Sequence, residues 1–189
     1  TFTDEVSARM LQDLSSIACC SSLRIDAIVA RIQARAWLKD PNIPDTRPNN
    51  LASYQQKSGG IALLPYAQED PFISARVLLV NQTLFDSESL ADYFNSLVGN
   101  PQTSAEQASA ALAGLASLGQ PVLLTLGQAV KDKNLSLESK VWLGLAFAQG
   151  GASDQAEELF NQLPVKDKGP VSWLETGKGQ TDNYQLTAL

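Results

Sequence analysis

The feature that most constrains this chain is a regular alternation between helices that are apolar on every side and helices that are apolar on one. Asp70-Pro71 offers an N-cap and a proline at the first helical position, and Phe72 to Val80 then runs apolar almost all round. The segment after it, Glu88 to Val98, carries Leu90, Phe94, Leu97 and Val98 on a single face. Val141 to Ala148 is again apolar throughout, with Trp142, Leu145 and Phe147. Gly150-Gly151 ends that run and Ser153 is expected to cap the next helix. There Ala156, Leu159, Phe160 and Leu163 hold an i, i+3, i+4, i+7 spacing while Glu157 and Glu158 face water. A helix apolar on all sides has to be surrounded, whereas a one-faced helix lies between core and solvent. The alternation therefore predicts an all-α fold of the α/α toroid type, with inner helices wrapped by outer ones.

Further helices are expected over Asp4 to Ala18, Leu23 to Leu38, Ser104 to Leu118 and Val122 to Val130. Ser104 with Gln107 has the spacing of a capping box. Gly99-Asn100-Pro101, Gly119-Gln120-Pro121 and Gly169-Pro170 are turn signals between helices. The longest stretch without helical period is Asp40 to Asp70, holding Pro41, Pro44, Pro48, Pro65 and the pair Gly59-Gly60. A connection of that length inside a domain is functional, disordered or internally structured. With no linker in view, residues 1–189 are expected to form a single helical domain or a fragment of one. The sequence opens inside one expected helix and stops inside another, Asn183 to Leu189, so the ring is expected to be incomplete at its C-terminal end.

Composition narrows the function. Apolar residues at 44% against charged residues at 18% describe a folded chain. A net charge of −6, with 14 scattered basic residues, argues against nucleic acid, whose binding rests on many cationic contacts to phosphate. No apolar run reaches the roughly 18–20 residues that span a bilayer, and the N-terminus has no export-signal pattern. Cys19 and Cys20 are adjacent, a spacing that strains a disulfide, and they are expected to be small apolar thiols near a helix end. Two cysteines without a histidine make no usual zinc site, so neither metal nor cofactor is expected. Asp13, Asp26, Asp86 and Asp92 read as solvated helix-face carboxylates. Gly59-Gly60 reads as a turn, since no P-loop sequence follows it. Trp37, Trp142 and Trp173 read as packing residues.

Two stretches carry a family resemblance. Ser136 to Gly151 followed by Gln155-Ala156-Glu157-Glu158-Leu159 resembles the late helix pair of the thioester domains of alpha-2-macroglobulin and complement proteins. Ser172-Trp173-Leu174-Glu175, a polar loop and Asn183 to Leu189 are similar to the tryptophan-containing loop and next inner helix of that family. Gln56-Lys57-Ser58-Gly59-Gly60-Ile61 followed by Asp70 to Val80 resembles its glutamine–glycine repeat and inner helix. Together these cover most of the chain. The reactive motif of the family, C-x-E-Q, precedes its first inner helix, and Ser7-Ala8-Arg9-Met10-Leu11 looks like the continuation of that motif. By that alignment Phe2 stands where the thioester cysteine would be, Asp4 replaces the glutamate and Glu5 the glutamine. Phenylalanine has no nucleophilic atom and a carboxylate is no activated acyl group, so the position is degenerate.

The resemblance implies a thioester-less member of the bacterial alpha-2-macroglobulin-like proteins, periplasmic and not an enzyme. It would be a structural and interaction domain whose partners are neighbouring domains of the parent chain and, through the parent, target proteases. The alternative is a small-molecule-binding or cyclase-like α/α toroid using a central cavity, although neither acid-rich cyclase motifs nor prenyltransferase zinc ligands are present. A polar cavity with convergent acids would favour that alternative.

Overall fold

The computed structural model describes residues 5–39, 50–169 and 171–189. Phe2, Asp4, Pro41, Pro44, Pro48 and Pro170 lie outside the described residues. The chain is mostly helical, with nine α-helices and one two-stranded sheet among the described residues. Its contacts divide it into two compact units, Thr1–Ser87 and Glu88–Leu189.

In the first unit α1 (Glu5–Cys19) packs on α2 (Ile25–Leu38), and α2 packs on α3 (Pro71–Val80). The last carbonyls of a helix have no partner within it and carry partial negative charge. Here two guanidiniums of α2 meet that end of α1: Arg35 Nε donates to the Ala18 carbonyl at 2.8 Å and Arg31 to the Cys20 carbonyl at 3.0 Å. Only Ala18 of α1 is buried. Cys19 and Cys20 stand at the helix end as expected, free thiols exposed to solvent on that thinly covered end.

The described part of the long connection, from Asn50 to Asp70, is internally structured. A 3-10 turn (Leu51–Tyr54) leads into isolated bridges Gln55↔Ile61 and Ala62↔Glu69. Gln56 N donates to the Gly60 carbonyl at 2.8 Å, so the glycine pair forms the expected turn. Tyr54 Oη donates to the Leu23 carbonyl at 2.6 Å and Ile25 N to the Leu63 carbonyl at 3.0 Å, which ties the segment to the start of α2. At its far end Asp70 caps α3, accepting from Phe72 N at 2.7 Å and Ile73 N at 3.1 Å, with Pro71 at the first helical position. Ser74, fully buried, accepts from Ile61 N at 2.8 Å and donates to the Asp70 carbonyl at 2.8 Å.

In the second unit α4 (Ser87–Val98) buries Leu90, Ala91, Tyr93 and Phe94. Next, α5 (Ala105–Ser117) opens on the expected capping box, Ser104 Oγ accepting from Gln107 N and Gln107 Oε1 from Ser104 N. Every residue from Ser109 to Ser117 is buried. The short α6 (Leu123–Ala129) buries only Leu126. In α7 (Leu137–Gln149) the buried set is Ser139, Val141, Trp142, Leu143, Gly144, Ala146 and Phe147, which encircles the helix. By contrast α8 (Ser153–Phe160) buries one stripe, Ala156 and Leu159. Ser153 does not cap α8: Ala152 occupies the cap position without a side-chain bond, and Ser153 is the first helical residue.

The all-round helices α5 and α7 pack against each other although α6 intervenes in sequence, and α7 also packs on α8. Glu106, in the first turn of α5, lies near Ser136, the N-cap of α7, whose hydroxyl helps to hold its pKa below the usual carboxylate range. The starts of the two helices are therefore near one another.

One segment departs from the expected loop. β1 (Val165–Lys168) and β2 (Val171–Leu174) pair antiparallel, and β2 packs against α9 (Gln180–Thr187). Gly169 turns the hairpin at φ 61°, a conformation costly to residues with a Cβ. Leu174 faces inward with Val141, Leu163 and Leu186. Of the tryptophans, Trp142 is fully buried and Trp173 half-buried, whereas Trp37 is 63% exposed and is not a packing residue.

Close approach decides two glycines. A Cβ on Gly114 would lie 2.5 Å from the Phe94 ring, while one on Gly127 meets nothing within 4 Å. Gly114→Ala is expected to lose about 1–3 kcal/mol to overpacking. Gly127→Ala is expected to gain up to ~1 kcal/mol from helix propensity, and urea unfolding of both variants would show opposite signs. Ser74→Ala is expected to cost about 1–3 kcal/mol by stranding the buried Ile61 N–H, read in the same titration.

Candidate functional site

Of the sequence-predicted thioester positions, Glu5 alone is described. It is the first residue of α1 and is exposed. The two thiols stand at the opposite end of the same helix. Fourteen residues at 1.5 Å each separate Glu5 from Cys19 by about 20 Å. A thiol and an acyl carbon that far apart on one rigid element form no internal thioester, so the structure does not bring these residues together. The described residues include no group of three or more histidine, cysteine, aspartate and glutamate side chains that could hold a metal ion. No described helix is long and apolar enough to cross a membrane.

The remaining acids divide by environment. Asp13, Asp86 and Asp92 are exposed. Asp26, half-buried, is held below the usual carboxylate range by the Arg24 guanidinium, which bonds it at 2.6 and 3.1 Å, with Ala27 N adding a further donor. Such a surface pair contributes little to stability. Glu106 is also held below its usual range, first by the Ser136 hydroxyl and its own backbone amide, then by Ser104 and the charge of Lys178. Its ordinary role is therefore a clasp between the starts of α5 and α7, with Lys178 of the loop before α9 within electrostatic reach.

A cleft open to solvent lies between β2 and α9, with a volume of about 630 Å³, within the range of ligand pockets. Sequence reasoning missed it because it depends on the unforeseen hairpin. Cross-strand partners share a sheet face, so the pairs Lys166↔Trp173 and Lys168↔Val171 put two lysines beside the indole. Leu174 points the other way into the core. The opposing wall is α9, where Gln180, Asn183 and Tyr184 keep helical i, i+3, i+4 spacing. Trp173 is half-buried and Tyr184 is 62% exposed, so both offer ring surface to the cleft.

Asn183 holds the two walls in place. Its Oδ1 accepts from Thr176 N at 2.8 Å and Thr176 Oγ1 at 2.7 Å, and its Nδ2 donates to Glu175 Oε1 at 3.3 Å. One turn on, Thr187 Oγ1 accepts from Leu174 N at 2.8 Å and donates to the Asn183 carbonyl at 2.6 Å. The only hint in sequence is the run Trp173-Leu174-Glu175 ahead of Gln180, Asn183 and Tyr184.

Fold and site thus define a mostly helical protein with two broadly buried helices packed together and an aromatic-lined cleft. No family model, curated protein or solved structure matches the chain.

A carboxylate whose pKa is lower in the folded state stabilises above its unfolded pKa, and that contribution disappears as the pH falls through the folded value. Glu106→Gln is therefore expected to lower Tm at neutral pH and to flatten the acid limb of the Tm profile below the ordinary glutamate range. Equal loss at every pH would show that Glu106 acts by its shape alone.

Proposed function

We propose that the chain is a non-catalytic structural and interaction domain of a bacterial alpha-2-macroglobulin-like protein, built as an α/α toroid and working without covalent thioester capture. The observation that carries the reading is the packing of α5 on α7, both broadly buried, with the one-sided α8 lying against α7. That is the pattern of an inner layer covered by an outer one. In the first unit α3 is of the same broadly buried type, with Pro71, Ser74, Ala75, Val77 and Leu78 buried.

In this reading the function is conformational. The domain is a packing block for neighbouring domains of its parent in the periplasm, and it meets a target protease through the parent's change of shape. The sequence supplies Phe2, Asp4 and Glu5 where sulfur and acyl donor would stand, and Cys19 sits a helix length away. Nothing in that set can acylate an incoming amine.

Intact-mass measurement tests the chemistry. The chain is expected to have its full sequence mass, unchanged by methylamine, with both thiols titratable beforehand. A deficit of one ammonia, reversed by methylamine with release of a new thiol, would overturn the thioester-less reading. An experimental structure in which α3, α5 and α7 do not share one inner layer would overturn the toroid.

A further inference from the structure

The cleft between β2 and α9 has no part in that reading. Its walls differ from those of a groove for apolar side chains: the one aliphatic residue lining it is Val171. The rest of its surface is two aromatic rings and a set of donors and acceptors. A ligand matched to such walls has a flat apolar face and a rim dense in hydroxyl groups, which is the chemistry of a pyranose ring. Sugar C–H bonds, slightly positive, sit well on the negative face of an indole, while hydroxyls both donate and accept.

One of the polar groups is held before any ligand arrives. Asn183, only 6% exposed, spends its amide on Thr176 and on Glu175 Oε1. This orients the Glu175 carboxylate so that its second oxygen can accept from a hydroxyl. Lys168 lines the strand wall and Gln180 the helix wall, exposed side chains that give donors on one side and a donor–acceptor pair on the other. We propose that this cleft binds an oligosaccharide, one pyranose stacked on Trp173 and flanked by Tyr184, with Glu175, Gln180 and Lys168 bonding its hydroxyls.

Two-dimensional amide and indole NMR of the full chain, titrated with chitohexaose, maltohexaose and cellohexaose, tests the proposal. At least one sugar is expected to shift the Trp173 indole signal, assigned by its loss in Trp173→Phe, with a Kd of about 1 mM, as befits one stacked ring. The indoles of Trp37 and the buried Trp142 should not move. Gln180→Ala and Tyr184→Ala alter exposed side chains, and each is expected to weaken binding roughly tenfold, the effect of about 1.4 kcal/mol. The proposal is overturned by no shift with any of the three sugars, by shifts that survive both substitutions, or by a proline-rich peptide that moves the Trp173 signal when no sugar does.

Discussion

The second unit depends on two helices, α5 and α7, that have no face left for water. Each is buried around most of its circumference, so each needs neighbours on several sides at once. They satisfy one another in part by packing together. Small residues let the covering aromatics come close. The Phe94 ring of α4 lies against Gly114 of α5, and the Phe160 ring of α8 against Gly144 of α7, where a Cβ would stand 3.2 Å from Cζ. In both contacts a phenylalanine from a more exposed helix seats on a glycine of a buried one. Phe160 is still 37% exposed, because its ring caps the inner helix instead of entering a pocket.

Helix existence was legible from the sequence because burial repeats with the helical period. The boundaries expected for α3, α4 and α5 fall within a residue of those observed, since Asp70, Pro71 and the Ser104–Gln107 box are local signals acting through local hydrogen bonds. Trp37 was misread for want of angular reasoning. Ala30, two turns earlier on the same strip of α2, is exposed too, while Ile28, Val29, Arg31 and Ala34 occupy the buried arc. An aromatic identity does not outweigh its place on the helix. Cys19 is exposed because α1 buries a single residue and gives its end no cover.

The hairpin was illegible for another reason. Val165-Lys166-Asp167-Lys168 contains three charges and is exposed along its whole length, so it lacks the alternation by which strands announce themselves. Only Leu174, on the second strand, reaches the core. What makes the ribbon stable is tertiary: the hydroxyl of Thr187 and the amide of Asn183, both on α9, take up backbone groups at Leu174 and Thr176. The turn signal Gly169-Pro170 was visible, but a turn between helices and a turn between strands look alike without those partners.

The same dependence governs the chemistry. The expected reactive position at Phe2, Asp4 and Glu5 was read from one dimension, and its elements could be judged inert from side-chain identity alone. The cleft required two elements to meet at a fixed angle, and no single stretch of sequence encodes that. A buried asparagine that satisfies Oδ1 twice and still donates to Glu175 costs little only if strand, loop and helix are all in place. Loosening any one of them would leave Asn183, itself 6% exposed, with unmet hydrogen bonds. The hydrogen bonds that hold α9 to the core therefore also set the geometry of the cleft, and the stability of this corner and its capacity to recognise a ligand rest on the same few atoms.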